Sequence, residues 1–407
     1  MPSAVEEALA AMDALDPELA WVIGVRRHAA REAEDAHGPL AGVPVIVKDV
    51  FADGGRRPTV GSHVPADWLT GIAPALGRLR ALGAAVVGYA NLQEWCLGTI
   101  SAVSALGPIR NPHDPDLIAG GSSGGSAACV AAGIVPVALG SDAGGSVRVP
   151  AACCGVVGFK PTFEAIPTEG STCEGIPIDH VGLLARTVDD IALVFGALSG
   201  REPFEGDVER LRVGVARPHF FDALDSSIVD ALESAIASMT ALVADVRVVE
   251  IRAAPRARRA VAAIMLPLVA ERLRAALADR PDAFHPETRA MLERGASLPN
   301  AARSEALAAA ASIRAGWAQV FREVDVVITP TLAQPPPRLD AGAEVLRSVE
   351  RSHLELNAPM NLGGVPAISV PCEGLGASLT FTGPVGADGI VLKVARAWEE
   401  VRGPLGG

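Results

Sequence analysis

Short apolar runs alternate with helical patterns along the chain. The β-branched run Val43 to Val47 ends at Lys48 and predicts a buried strand. Leu76 to Leu82 predicts a helix, and Ala84 to Ala90 predicts the strand that follows it. Further along, Leu211 to Ile251 reads as a strand, a long helix and another strand. This alternation of strand and helix predicts an α/β protein.

Helical patterns dominate the N-terminal residues and a long region of the second half. Ser3 and Glu6 have the spacing of a capping box, and a second helix is predicted beyond Pro17, up to about Ala36. We therefore expect residues 1–36 to form an N-terminal helical arm. Residues 252–324 are rich in Ala, Arg and Leu and predict a helical excursion. No stretch has the composition of an interdomain linker, so a single domain over 1–407 is predicted.

Two clusters of glycine and serine lie close together in sequence, at 120–126 and 140–146. One predicted apolar helix and one predicted strand separate them, so both loops could meet at the same edge of a sheet. Glycine-rich loops turn several backbone N–H groups toward one point, which suits either a phosphate cradle or an oxyanion hole. Neither cluster matches GxxxxGK[ST] or GxGxxG. Ser146 ends the second cluster, which favours the oxyanion hole with a serine nucleophile.

A serine nucleophile needs a base, and the eight histidines are scattered outside any recognisable triad context. Lys48 is the alternative, because burial at the end of an apolar strand would disfavour its charged form. The plainer interpretation is that Lys48 forms an ordinary salt bridge with Asp49 or another carboxylate. Lys48 alone would favour that plainer interpretation, and the serine clusters reverse the preference.

Several motifs between residues 38 and 190 occur in the order and spacing of the amidase signature family of serine hydrolases, which this region resembles. They are LAGVPVIVKD at 40–49, GPIRNP at 107–112, GGSSGGS at 120–126, GSDAGGSVRVP at 140–150, CGVVGFKPT at 154–162 and DHVG at 179–182. DVVITPT at 325–331 and NLGGVPAISVP at 361–371 match more weakly. The resemblance implies one domain with a large mixed β-sheet core and helices on both faces, 38–190 being the signature core and 252–324 bordering the substrate pocket.

The resemblance also implies a catalytic triad without any metal or organic cofactor. It assigns Ser146 as nucleophile, Ser122 as bridging serine and Lys48 as base, with a cis peptide bond between Gly121 and Ser122. The backbone N–H groups of 143–146 would form the oxyanion hole: those of Ala143, Gly144, Gly145 and Ser146. Asp142 and Arg148 are expected to brace this loop, and Ser123 to satisfy backbone groups in the first one.

Composition narrows the choice of partners and compartment. The net charge of −12 is the wrong sign for a surface that binds nucleic acid. The arginines at 252, 256, 258 and 259 are interpreted as a solvated helix face. No signal-peptide pattern or membrane span is recognised, and the six cysteines lack metal-ligand spacing, so a cytoplasmic protein with reduced thiols is expected.

Three functional hypotheses follow. The first is a stand-alone amidase that releases ammonia or an amine from a small-molecule carboxamide, with a homodimer left open. The second is a glutaminase-type A subunit of an amidotransferase complex. The third is a scaffold that has lost activity. The acidic charge and short chain favour the first, and the presence of a suitable residue at all three catalytic positions argues against the third.

Overall fold

An 11-stranded mixed sheet runs through the molecule, and the computed structural model describes residues 3–403. The strands are β1 (Val22–Val25), β2 (Pro44–Lys48), β3 (Ala85–Ala90), β4 (Val137–Asp142), β5 (Val157–Lys160), β6 (His180–Ala185), β7 (Arg212–Ala216), β8 (Asp245–Val249), β9 (Val326–Pro330), β10 (Ala367–Pro371) and β11 (Ser378–Thr382). Their order across the sheet is β1-β3-β2-β4-β6-β5-β10-β11-β9-β7-β8. The β3-β2-β4 and β9-β7-β8 groups are parallel, and the other neighbours are antiparallel.

Thirteen α-helices lie between residues 3 and 403. They are α1 (Ala4–Asp13), α2 (Ala29–Glu34), α3 (Pro74–Ala81), α4 (Gly124–Ala131), α5 (Arg148–Cys153), α6 (Val188–Ser199), α7 (Ser226–Met239), α8 (Ala257–Arg272), α9 (Arg274–Asp279), α10 (Pro286–Ser297), α11 (Asn300–Val320), α12 (Ala343–Gly363) and α13 (Asp388–Arg402).

Alternate side chains of β2 enter two different hydrophobic clusters, one on each face of the sheet. Val45 and Val47 pack in the larger cluster, which includes the apolar sides of α3 and α6. Ile46 packs in the second cluster with residues of α1 and α4. A strand covered on both faces is apolar at every position, which explains the continuous run before Lys48. The predicted α/β class, with a mixed sheet and helices on both faces, is confirmed.

The predicted helix between Pro17 and Ala36 is wrong over its central part. Val22–Val25 forms the edge strand β1, which pairs antiparallel with β3, and only Ala29–Glu34 is helical beyond it. All four residues of β1 are only partly buried, so the local pattern gives little strand signal. The capping box at Ser3 and Glu6 does form and begins α1.

Helices α8 to α11 occupy most of the region 252–324, and α8 packs against α10, α11 and α12. This group of helices therefore forms a layer of its own beside the sheet. Within residues 3–403, no helix is long and apolar enough to cross a membrane.

Candidate active site

The parallel pairing of β2 with β4 brings Lys48 to the second glycine-rich loop. Val47 pairs with Leu139, so the carboxyl ends of both strands lie at the same edge of the sheet. There Lys48 Nζ hydrogen-bonds with Ser122 Oγ at 2.7 Å and with Ser141 Oγ at 2.9 Å. Lys48 and Ser122 are both fully buried. The amine therefore contacts two hydroxyl groups at once.

Lys48 does not pair with Asp49, so the plainer interpretation of a salt bridge between them is wrong. The Asp49 carboxylate forms an ion pair with Arg56 and accepts hydrogen bonds from the backbone and the hydroxyl of Thr59, at 2.9 and 2.7 Å. Among residues 3–403, no carboxylate oxygen lies within 4.0 Å of Lys48 Nζ. Strand β2 ends at Lys48, so Asp49 lies in the turn that follows, and its side chain has these other partners.

The first glycine-rich loop is held by hydrogen bonds of its backbone as well as of its serine side chains. The Gly121–Ser122 peptide bond is cis. Gly121 N donates to Thr99 O at 2.8 Å, and Ser122 O accepts from Gln93 N at 3.1 Å. Gly125, in the first turn of α4, lies so close to neighbouring backbone that a Cβ atom there would be 2.4 Å from the carbonyl oxygen of Trp21. Glycine is required at this position by close packing.

A backbone hydrogen bond joins the two glycine-rich loops. Ser123 N donates to Ser146 O at 3.1 Å, and Ser123 Oγ donates to Ser141 O at 3.3 Å. Ser146 follows immediately after the glycine pair and is 6% exposed, on the floor of a cavity. The structure thus brings Lys48, Ser122 and the loop that carries Ser146 together.

The N–H groups of the second loop do not all point the same way. Gly145 N donates to Asp142 Oδ1 at 2.8 Å, so this donor is already used within the loop. The N–H groups of Ala143, Gly144 and Ser146 have no acceptor in the part of the chain that the structure describes. Three donors rather than four are therefore free to bind an oxyanion beside Ser146.

A buried ion pair between Asp142 and Arg148 supports this loop. Arg148 Nη2 and Nε donate to the Asp142 carboxylate at 2.9 and 3.0 Å, and both side chains are completely buried. Burial would raise the pKa of Asp142, but the guanidinium of Arg148 and its hydrogen bonds outweigh burial and hold that pKa well below its usual range. Asp142 is therefore a fixed charge that orients backbone N–H groups, and not an acid or a base.

Two asparagines of α12 complete the network, and sequence reasoning missed both. Asn361 Nδ2 donates to Asp142 O and Oδ1, at 2.6 and 2.8 Å, while its Oδ1 accepts from Arg148 at 2.8 Å. Asn357 Oδ1 and O also accept from Arg148, both at 3.2 Å. These contacts connect the nucleophile loop to residues more than 200 positions away in the chain.

Besides Asp142, Asp179 is a buried carboxyl group whose charge would interact with that of Lys48. Asp179 is buried, and burial raises its pKa to about 6, although a positive charge on Lys48 would oppose that rise. Ser141 and Asp179 both lie in motifs noted in the sequence, yet nothing in the local pattern distinguished them from their neighbours.

Ser146 lies at the bottom of a cavity of about 530 Å³. Ala143 and Gly144 form its floor with Ser146, and helices α8, α10 and α12 form its walls. Aliphatic side chains line the interior: Leu97, Val261, Ala262, Met265, Leu266, Met291, Leu298 and Leu354. Arg258 and Arg259 also line it; Arg259 is exposed, as expected of a solvated helix face, whereas Arg258 is half-buried and pairs with Glu355.

No group of three or more His, Cys, Asp and Glu side chains within residues 3–403 is arranged to hold a metal ion. The chemistry described above is that of hydroxyl groups, an amine and backbone N–H donors.

Comparison with known proteins gives consistent similarities. The sequence profile of the family named Amidase matches residues 3–392. The glutamyl-tRNA(Gln) amidotransferase A subunit of Carboxydothermus hydrogenoformans is 32% identical, over 98% of this chain and 94% of that protein. A crystal structure of an amidase is similar with a TM-score of 0.90 and 30% identity, covering 100% of this chain and 97% of that one. A bacterial aryl acylamidase of the amidase signature family has a TM-score of 0.86 and 25% identity, covering 98% and 93%.

Proposed function

Because this chain belongs to the amidase family, we propose that it hydrolyses the carbon–nitrogen bond of an amide through an acyl-enzyme on Ser146. The observation that carries the proposal is the 2.7 Å contact between Lys48 Nζ and Ser122 Oγ, next to a loop with three free N–H donors. A nucleophilic serine, a proton relay and an oxyanion site are the three components that acyl transfer requires.

In the proposed mechanism, Ser146 Oγ attacks the amide carbonyl carbon and transfers its proton to Ser122. Ser122 passes its own proton to the lone pair of Lys48 Nζ, whose N–H donates to Ser141. The carbonyl oxygen becomes an oxyanion and is bound by the N–H groups of Ala143, Gly144 and Ser146. The loss of one such donor costs about 2.7–4 kcal/mol in other hydrolases.

Collapse of the tetrahedral intermediate breaks the carbon–nitrogen bond. The proton held by Lys48 returns through Ser122 to the leaving nitrogen, which departs as ammonia or an amine. Water then attacks the acyl-enzyme, giving up a proton along the same relay, and releases the carboxylic acid and free Ser146. Each step restores the protonation state that the next one needs.

The cavity supports a small-molecule carboxamide with an apolar acyl group as substrate. The wall nearest the floor is aliphatic, with Val261 and Leu354 close to Gly144. A Cβ atom added at Gly144 would lie 2.8 Å from a methyl carbon of Leu354. Because glycine has no Cβ atom, this part of the cavity stays open to the acyl group. Burial of an apolar group there contributes roughly 25 cal/mol per Å².

The second candidate is the glutaminase-type A subunit of an amidotransferase, and the curated relatives favour it over the first. These relatives are subunits of a complex, so in this case a protein partner would be expected to receive the ammonia. Glutamine differs from a simple carboxamide by its ammonium and carboxylate groups, and charged side chains such as Arg294, Glu350 and Arg351 line the cavity beside the aliphatic wall. The aliphatic wall supports the first candidate, and the sequence relatives support the second.

An ammonia- and amine-release assay on the purified single chain separates these possibilities. The panel contains aliphatic, aromatic and ureido amides together with L-glutamine, and Ser146→Ala serves as the matched inactive variant. Turnover of simple amides faster than of glutamine supports the small-molecule amidase. Turnover confined to glutamine supports the glutaminase. If Ser146→Ala releases ammonia as fast as the wild type, the assignment of the nucleophile is wrong.

A further inference from the structure

Three arginines from three different helices line the cavity that contains Ser146. Arg259 belongs to α8, Arg294 to α10 and Arg351 to α12, and all three side chains are exposed to solvent. The aliphatic lining residues are less exposed than the arginines: Val261 and Met265 are buried, and the others are buried or half-buried. The arginines therefore lie at the mouth of the cavity, and the apolar wall lies deeper, toward Ser146.

These arginines lack carboxylate partners within 4.0 Å among residues 3–403, in a chain whose net charge is −12. Arg258, which also lines the cavity, forms an ion pair with Glu355 at 2.9 Å, and Arg289 of α10 forms one with Asp282 at 2.9 Å. Of the four arginines that line the cavity, three therefore have no carboxylate partner within residues 3–403.

One carboxyl group also lines the cavity. Glu350 is partly buried and accepts a hydrogen bond from Thr99 N at 3.0 Å. Burial raises the pKa of Glu350 to about 7, so at neutral pH this group carries only part of a negative charge. The cavity therefore keeps an excess of positive charge at its mouth.

We propose that Arg259, Arg294 and Arg351 form a subsite for an anionic group of the substrate, separated from the scissile amide by an apolar segment. The inference rests on the proposed hydrolysis at Ser146 and specifies its substrate class. A planar guanidinium binds a carboxylate with two parallel hydrogen bonds, which makes arginine well suited to this role. The substrate is an amide at one end, aliphatic or aromatic in the middle and a carboxylate at the other end.

The test compares two matched series of amides. One series has a carboxamide and a carboxylate at opposite ends of a chain of about two to six methylene groups, and the other has carboxamides at both ends. The two differ in charge but hardly in shape. We expect kcat/KM to favour the carboxylate series at least about tenfold at the best length, because a hydrogen bond to a charged group is stronger than one to a neutral amide.

Variants of the mouth then identify the residues responsible. Arg294→Gln is expected to reduce the preference for the carboxylate series severalfold, while Arg294→Lys retains more of it because the charge remains. Arg322→Gln is the matched control, because Arg322 is also exposed and unpaired among residues 3–403 but lies outside the cavity. The preference should also decrease when salt is raised from about 0.02 M to about 0.5 M, since exposed charges are screened.

Equal kcat/KM for both series, with hydrolysis abolished by Ser146→Ala, would overturn the anionic subsite and leave the proposed hydrolase standing. If neither series is hydrolysed, calorimetric titration of the same compounds tests the anionic subsite independently of hydrolysis. Tighter binding of the carboxylate series, weakened by Arg294→Gln, supports the subsite. Equal affinity for both series, or an effect of Arg322→Gln as large as that of Arg294→Gln, would overturn it.

Discussion

Replacement of Asp142 by Asn should destabilise the protein strongly, although the side chain barely changes in size. The carboxylate accepts hydrogen bonds from Gly145 N at 2.8 Å, Val147 N at 3.2 Å, two atoms of Arg148 and the amide of Asn361 at 2.8 Å. An Asn side chain has only one oxygen and would turn an NH₂ group toward some of these donors. It would also leave the guanidinium of Arg148 buried without its countercharge.

Removal of one partner from a buried ion pair costs about 3–5 kcal/mol, which shifts the folding equilibrium by between two and four powers of ten. Urea denaturation followed by far-UV circular dichroism measures this loss. Asp189→Asn is the control, because Asp189 pairs with Arg396 at 3.1 Å in an exposed position and should cost at most about 1 kcal/mol.

The destabilisation should also have a defined dependence on pH. The pKa of Asp142 is lower in the folded protein than in the unfolded chain, where it is about 4. Such a carboxylate stabilises the folded state fully above about pH 4, and this stabilisation is lost as the pH falls through the pKa of the folded state. The difference between wild type and Asp142→Asn should therefore be constant at neutral pH and shrink in strong acid. A loss below about 1 kcal/mol at pH 7 would refute the account of this network.

Three further predictions concern the same edge of the sheet. Because the pKa of Asp179 is raised to about 6 in the folded state, the wild type should lose roughly 3 kcal/mol relative to Asp179→Asn as pH rises from about 3 to about 7, measured by urea denaturation at several pH values. Ser141→Ala should lower kcat and cost about 1–3 kcal/mol of stability, since it leaves an N–H group of the buried Lys48 without its acceptor. Gly125→Ala should cost about 1–3 kcal/mol of stability, because the new methyl group would overlap the backbone of Trp21.

Matched variants make these predictions specific. Ser101→Ala removes a buried hydroxyl that has no hydrogen-bond partner in the described part of the chain, so its kcat should stay close to that of the wild type. Gly77→Ala, within α3, has its nearest contact at 3.8 Å and should be neutral or stabilising. If the stabilities of the wild type and of Asp179→Asn depended on pH in the same way, the raised pKa of Asp179 would be contradicted. Equal effects of Ser101→Ala and Ser141→Ala on kcat would contradict the role of Ser141.

The sequence predicted the parts of the site that depend on local patterns. The apolar run before Lys48 indicated a buried strand, and the glycine-rich motifs with the family resemblance indicated which serines to consider. The amidase family and the α/β fold were confirmed. The use of Gly145 N by Asp142 was not foreseen, because the direction of a single N–H group depends on the backbone torsions of the loop.

The sequence did not predict the contribution of α12. Its residues His353, Asn357 and Asn361 lie four apart, on one side of the helix, and such a polar stripe normally indicates exposure. In the structure this stripe is buried, because its side chains bind Thr99, Arg148 and Asp142. Partners so distant in sequence leave no periodic signal.

The arginines of the cavity show the same limitation. Arg258 and Arg259 were interpreted as part of a solvated helix face. The exposure of Arg259 agrees with this, but nothing in the charge cluster indicated that both residues line a cavity. Only the packing of α8 against α10 and α12 shows that the side of the helix bearing them borders the cavity above Ser146.

Covalent labelling of the nucleophile tests the central claim most directly. The purified protein is treated with an alkyl fluorophosphonate, which phosphonylates activated serines, and the adduct is located by peptide mass spectrometry. We expect one adduct, on Ser146, whose rate of formation falls strongly in Lys48→Ala and Ser122→Ala. An adduct on another residue, or undiminished amide hydrolysis by Ser146→Ala, would contradict the relay from Lys48 through Ser122 to Ser146.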